Sequence, residues 1–488
     1  MASGERKRPV RVANCSGYHG DPAYEMYRQA TFGDVDFITG DYLAEVNLAN
    51  NAEALRAGKH PGYEETAWEG LQQTIDVIAE KRIKVIINSG ALDPKALALK
   101  VQALVHRCGP SMPTRKQDLQ HLDSENSSAT PASLTYAFLR GTADSKTIPM
   151  VSAHAYLGAR GIVHGLRAGV DIILCGRVAD ASPTDYDELA GALVAGHLIE
   201  CSAYVAGGNL SGFDRDDLDE LVEPGLPIAE IDGDGTLNVD TVRCQFLYEL
   251  QGTVYLNSDV NAYIGGVVVE DVGKDHVRVS GIKGSPPPPT TKLAIFYQGG
   301  YEAEILNATG YATSKKWDLV EKQVRHFLLD SALRELETLE FQRIGTPSPN
   351  PTTQSSSTTY LRIFIASRSL QAIGAVGLAV KNVSLKHFSG FHSTLDTRTA
   401  IPRPFLAYYP SLIPQSDLNE EIHLLNTNYT VISFQTGHPK IYAPLQARES
   451  YDPEPSPTTE AQNALKEPTK RMKLGEVRWV WEGGCGLG

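Results

Sequence analysis

No stretch of the 488 residues reaches the ~18 consecutive apolar side chains that a membrane-spanning helix needs, so no membrane span is expected. The six cysteines, Cys15, Cys108, Cys175, Cys201, Cys244 and Cys485, are scattered and form no C-x-x-C pair. That removes a disulfide scaffold and a zinc ribbon, and reduced thiols are the reading that remains. Basic residues are in deficit: 45 Lys and Arg stand against 58 Asp and Glu, for a formal net charge of −13. The basic clusters, Arg6-Lys7-Arg8 and the stretch around Lys466, Lys470, Arg471 and Lys473, lie near the chain ends. Nucleic acid, whose phosphates need a broad basic footprint, is not an expected partner. Residues 1–6 run straight into a strand pattern without an apolar h-region, so no secretory signal is read and a cytoplasmic location is expected. Internal repeats are lacking.

What is present is an ordinary globular composition, 42% hydrophobic and 21% charged. The first 210 residues alternate between strand and helix patterns. Strands are read at 10–13, 35–39, 84–88, 148–152 and 170–175. Helices are read from Pro22 and at 42–55, 64–80, 94–106, 133–139, 158–168 and 186–203. Residues 109–133 interrupt the rhythm as a long polar loop. The alternation implies an α/β fold: a parallel-sheet N-terminal domain with helices on both faces, followed by a smaller α+β domain. Domain limits are set at 8–215 for the ligand-site domain, 216–343 for a β-rich continuation and 359–448 for a small α+β region. A disordered tail is read over 449–488. Within the second half, 253–256, 267–272 and 276–279 read as strands, 317–339 as one helix, 344–358 as a linker, and 360–365 and 378–383 as strands.

In parallel sheets ligands bind beyond the carboxyl ends of the strands, and the polar residues of this chain collect in those loops. The first loop carries Ser16, Gly17, His19, Gly20 and Asp21; glycines let backbone N–H groups approach an anion at the following helix. A tight turn is the alternative, but a plain turn needs neither His19 nor Asp21. Asp41 and Glu45 follow the second strand at i, i+4 spacing and suit acid–base work, or Asp41 caps a helix and Glu45 is solvated. Asn88 and Ser89 end the third strand and can hold a carbonyl or carboxylate, or merely close a turn. His154 lies past a strand end, as a site residue or a satisfied core histidine. Arg177 and Asp180 follow the most apolar strand; Arg suits bidentate anion binding, with Asp180 as orienter or base, and a structural ion pair is the alternative. His197, Glu200 and Cys201 share a helix face. No second His or Cys cluster completes a zinc set, so His197 and Glu200 stand as acid–base candidates, and Cys201, Gly207 and Gly208 as ligand contacts. No metal site is assigned.

Taken in order, these stretches resemble the acyclic terpene utilisation (AtuA-like) family. The matching segments are Ser16-Gly17 to Gly20-Asp21, Asp41-Tyr42-Leu43-Ala44-Glu45, Asn88-Ser89-Gly90-Ala91-Leu92-Asp93-Pro94, Ala155-Tyr156-Leu157-Gly158 and Gly176-Arg177-Val178-Ala179-Asp180. Gly196-His197-Leu198-Ile199-Glu200-Cys201 with Gly207-Gly208, and Tyr248-Glu249-Leu250-Gln251-Gly252, complete the set. The resemblance covers about residues 10 to 410 and is closest to the fungal branch, whose members accompany secondary metabolism. It implies catabolism of branched terpenoid acids as CoA thioesters, with CoA as part of the substrate; no other cofactor is assigned. Three features depart from the family pattern. The segment after Ser182 is short, residues 109–133 replace a strand and an acidic loop, and no terminal ferredoxin-like domain precedes Gly488. They leave open a new pocket or an impaired chain.

The expected function is a lyase-type enzyme: hydration, dehydration or cyclisation by acid–base chemistry on an acyl thioester or carbonyl-containing terpenoid or polyketide-like small molecule. A hydrolase using Cys201 or Ser89, and a non-catalytic binding or scaffold subunit, are the alternatives. A small-molecule substrate and a homo-oligomer are the expected partners.

Overall fold

The computed structural model describes residues 10–107, 119–122, 150–178, 186–208, 236–248, 250, 252–393, 397–425 and 430–435. The chain divides into two compact units, each discontinuous in sequence. The first takes Met1–Gly141, Ala153–Ala294 and Pro410–Gly488, and the second Thr142–Ser152 and Ile295–Tyr409, as far as they are described.

The first unit is built on strands β1 (Val12–Asn14), β2 (Phe37–Gly40), β3 (Lys84–Ile87), β4 (Leu119–Leu122) and β6 (Ile172–Cys175), while β5 (Met150–Ala155) lies outside this sheet. The order is β1-β2-β3-β6-β4, parallel throughout. The antiparallel strands Asn419–Leu425 and Thr430–Gln435 extend it at one side. The chain therefore builds outward from β1 and turns back to insert β6 between β3 and β4. Register runs straight across through Ala13, Ile38, Val85 and Ile172. The carboxyl ends at Asn14, Gly40, Ile87 and Cys175 consequently emerge along one edge.

Every residue of β6 is buried, so both faces of this central strand are covered, as parallel sheets require. One covering layer holds helices α1 (Tyr24–Phe32), α3 (Glu65–Lys81) and α4 (Pro94–Arg107); α2 (Glu45–Arg56) lies between α1 and α3 in the chain. Trp68, Leu71, Ile75 and Ile78 of α3 recur at helical spacing and pack with Met26, Leu97 and Val101 against Ile38, Val85, Ile87 and Leu174. Burying each large apolar side chain is worth about 1.5–3 kcal/mol. The helix Tyr186–Glu200 has its own core: Leu189, Leu193, Val194 and Leu198 pack against Val242, Val260, Ala262 and Val277. The last three come from or adjoin short antiparallel strands, β7 (Val254–Leu256) through β8 (Asn261–Tyr263), β9 (Val268–Gly273), β10 (His276–Ser280) and β11 (Lys283–Ser285).

In the second unit the later part of β12 (Thr290–Thr309) joins β13 (Leu336–Ile344), β14 (Thr359–Ser367) and β15 (His392–Ser393) in the order β13-β14-β12-β15, all antiparallel. Helices Thr313–Phe327 and Leu370–Val383 cover it through Trp317, Val320, Val324, Ile373, Val376 and Val380. No helix among the described residues is long and apolar enough to cross a membrane.

Several expectations need correction. The single helix over 317–339 is instead Thr313–Phe327, a short turn of helix Asp330–Glu335, and the strand β13. Leu339 and Phe341 pair with Ile365 and Ile363 of β14, and that pairing overrides local helix propensity. The strand over 378–383 is the end of the helix Leu370–Val383, capped by the Ser369 hydroxyl accepting from the Ala372 N–H. A short apolar run does not separate strand from helix by itself, and Ile373, Val376, Val380 and Val383 are buried at helical spacing. Within the loop expected over 109–133, Leu119–Leu122 is a sheet strand. The helix expected at 133–139 and the tail from 449 lie outside the described residues.

Candidate functional site at the sheet edge

The loop after β1 is held from within. The Asp21 carboxylate accepts from the N–H groups of Gly17 (2.8 Å) and Tyr18 (3.0 Å) and from the Ser16 hydroxyl (3.2 Å). The N–H donors expected to face an anionic ligand therefore already bind Asp21. Asn14 ties the loop to the end of the helix Tyr186–Glu200, donating to the carbonyls of Ile199 and Glu200. Gly17 is required there: a Cβ would stand 2.6 Å from the Cys201 backbone. Gly20 serves the turn, with φ of +86° and open space where a Cβ would stand.

His19 leaves this loop and meets a residue that sequence reasoning missed. Its Nδ1 is 2.7 Å from Oε2 of Glu64, whose carboxylate is buried. The other oxygen of Glu64 accepts from Asn47 (3.1 Å) and Asn51 (2.9 Å). The backbone N–H of Glu64 donates to the Ser89 carbonyl. Both asparagines lie on α2 and Glu64 immediately precedes α3, so two helices and the β3 loop fix one carboxylate behind one imidazole.

A second constellation adjoins it. The helix α2 begins at Glu45, so Asp41 is not on its face and does not cap it. Instead Asp41 Oδ1 accepts from Asn88 Nδ2 (2.5 Å) and from the Leu43 N–H, and lies 3.8 Å from Arg177 Nη1. Asn88 Oδ1 accepts from the Tyr42 N–H, and the Tyr42 carbonyl accepts from Asn47, which links the two constellations. Arg177 donates to the Leu43 carbonyl at 3.0 Å and lays its guanidinium 4.3 Å above the Tyr156 ring. Lys292 of β12 stands 4.7 Å from the same ring and bonds Glu45 at 2.5 Å. The Tyr156 hydroxyl donates to the same Glu45 oxygen.

These contacts set the protonation states. Burial works to raise the Glu45 carboxyl, but the bonds from Lys292 and Tyr156 outweigh it and pull it down to about 2. Glu45 is thus a fixed anion, and a carboxylate that acidic is a poor proton carrier near neutrality. Burial pushes the Tyr156 phenol up to about 12. Burial, with the Arg177 charge beside it, holds His154 down at about 4. His154 therefore stays a neutral imidazole next to the guanidinium.

The remaining expected residues separate from these two groups or serve the scaffold. His197 is buried within the core of its helix, with Nε2 3.1 Å from the Gln245 carbonyl and Nδ1 3.4 Å from Glu200; this is the satisfied core histidine, not an exposed base. Ser89 is fully buried and its hydroxyl has no hydrogen-bond partner among the described residues. Cys201 offers its backbone to the Gly17 contact. Gly207 has φ of +120° and closes the turn after Ser202–Ala206, followed by exposed Gly208. Asp180 lies outside the described residues.

A parallel sheet whose carboxyl edge gathers a carboxylate-backed histidine and two stacked cations defines an α/β protein with a candidate polar site at that edge. The family model for acyclic terpene utilisation family protein AtuA matches residues 10–424, and the chain belongs to that family. No curated protein matches the chain.

Proposed function

We propose that this protein is an acid–base enzyme of lyase type, acting in acyclic terpene utilisation on an acyl thioester or other carbonyl-containing terpenoid. The reaction class is hydration, dehydration or cyclisation beside the carbonyl. The observation that carries this reading is the pair of half-exposed His19 and buried Glu64 at 2.7 Å. A carboxylate on Nδ1 fixes the tautomer, leaves Nε2 to take a proton from the substrate, and stabilises the imidazolium that results. Arg177, fixed by the Leu43 carbonyl and stacked on Tyr156, supplies positive charge for an oxygen that becomes negative as the proton leaves.

Family membership supports the terpenoid class, and the site supports proton transfer rather than nucleophilic attack. The hydrolase alternative would need an ordered nucleophile and base, whereas the Ser89 hydroxyl is buried and makes no hydrogen bond among the described residues. The test is exchange of substrate protons in deuterated water, using a methyl-branched medium-chain acyl-CoA and reading deuterium by mass spectrometry. The native protein is expected to label the position next to the carbonyl, and His19→Gln to slow labelling by about 10²–10⁴-fold. Equal labelling by both proteins would overturn the assignment.

A further inference from the structure

Glu45 is bound the way a substrate carboxylate would be bound. One of its oxygens takes both Lys292 Nζ at 2.5 Å and the Tyr156 hydroxyl. The phenol ring is held by the Arg177 guanidinium at 4.3 Å, and the residue by its own backbone, since the Tyr156 carbonyl accepts from Ser258 (2.7 Å) and Thr291 (2.8 Å). The N–H of Tyr156 in turn donates to the Lys292 carbonyl at 3.0 Å. The two donors are thus locked to each other through the main chain, independently of Glu45. Glu45 itself is carried at the very start of α2 on a flexible side chain, 30% exposed, and Lys292 is 43% exposed. The backbones of the two donors are fixed to each other and Lys292 reaches solvent, while Glu45 comes to them from a separate element, the first turn of α2.

We propose that Lys292 and the Tyr156 hydroxyl form a carboxylate-binding subsite in which Glu45 is a resident stand-in, and that a ligand carboxylate takes its place. The substrate then carries a carboxylate in addition to the carbonyl beside which the proton is moved. This deepens the acid–base reading and rests on it for the carbonyl half of the ligand alone. Exchange of one carboxylate for another conserves the charge of the cluster, so neither Lys292 nor Tyr156 loses its partner. The displaced Glu45 turns to water, which a carboxylate at a partly exposed position tolerates. A site occupied by its own side chain for most of the time binds a ligand more weakly by the fraction of time it stands open.

The probe is octanoate, with 1-octanol as its uncharged counterpart, titrated calorimetrically into the whole protein. Glu45→Gln is expected to tighten octanoate by about tenfold and to leave 1-octanol unchanged, because removing a competitor raises the open fraction. Glu45→Asp, whose shorter side chain draws the carboxylate back, is expected to act in the same direction and serves if the first variant does not fold. Adding Lys292→Met to either variant is expected to remove the gain. Octanoate binding that is unchanged or weaker in both Glu45 variants overturns the subsite, as does an equal gain for 1-octanol. Because the readout is binding, it is independent of His19. Failure of the acid–base reading would appear as undiminished proton exchange in His19→Gln while the octanoate gain stands.

Discussion

His19 and Glu64 stand 45 residues apart in the chain and 2.7 Å apart in space, Nδ1 to Oε2. The histidine side chain is 43% exposed and the carboxylate 3%, so the pair has one end in the scaffold and one end at the surface. Asn47 and Asn51 hold the other oxygen, so the carboxylate is fixed on both sides and sets the orientation of the ring.

Replacing Glu64 with Gln keeps the shape and removes the charge behind His19. The expected outcome is a fall in kcat of about 10- to 1000-fold with little change in KM. In the His19→Gln background the same substitution is expected to add almost nothing, because residues acting as one unit are not additive. Steady-state kinetics on the two single variants and the double variant measure this. Independent, multiplying losses would show that Glu64 serves the fold and not the base.

Gly17 and Gly20 lie in one loop and separate two physical roles of glycine. A Cβ at Gly17 meets the Cys201 backbone at 2.6 Å and the Glu200 carbonyl at 2.9 Å, atoms that cannot rotate aside. Gly17→Ala is therefore expected to destabilise by about 1–3 kcal/mol. Gly20 has open space but φ of +86°, so Gly20→Ala is expected to lose about 1 kcal/mol or less from backbone strain. Urea unfolding of the two variants checks the order; equal losses would mean that the loop is not pressed against that helix end.

Cys15 and Cys175 sit at the carboxyl ends of β1 and β6, 3% and 1% exposed. Burial drives the Cys15 thiol up to about 12 and raises Cys175 as well, so neither offers a thiolate. Iodoacetamide is expected to leave both unmodified in the native protein and to label both after unfolding, read by peptide mass spectrometry. Rapid native labelling of either would show that the sheet edge opens.

The sheet edge was readable because β6 is an unbroken apolar run between polar loops, and such a run in an alternating pattern places Arg177, Asn88 and Asp41 together. What closes the site was not. Glu64 stands one residue before an amphipathic helix and reads as a solvated first-turn carboxylate; only the β3 loop passing beside it, with its N–H on the Ser89 carbonyl, makes it interior. Lys292 is 247 residues from Glu45, and no local pattern connects a strand after a proline run to a helix start. His197 could have been placed better. It follows Leu193 by four residues on a nearly all-apolar helix, hence on the same buried face, and both are buried.

The pH dependence of stability should carry the signature of His154. Burial, then the neighbouring Arg177 charge, holds its imidazole at about 4 against an ordinary 6.5. Between those values the unfolded chain takes up a proton that the folded histidine refuses, so stability falls as pH drops from 6.5 to 4. Below that window both states are protonated and the penalty is constant, on the order of 3 kcal/mol. Glu45 acts lower down. Its carboxyl, pulled to about 2 from 4.5 against the opposing effect of burial, contributes stability that is present above 4.5 and lost as pH falls towards 2. Partial exposure makes that contribution the smaller one. His154→Gln is therefore expected to flatten the stability profile between 6.5 and 4 while keeping the decline below 4.5. Denaturant midpoints from about pH 7 to about pH 3 measure both segments. If the variant keeps the parent slope in the upper window, His154 accepts its proton in the folded state, and the guanidinium beside it must move to let it do so.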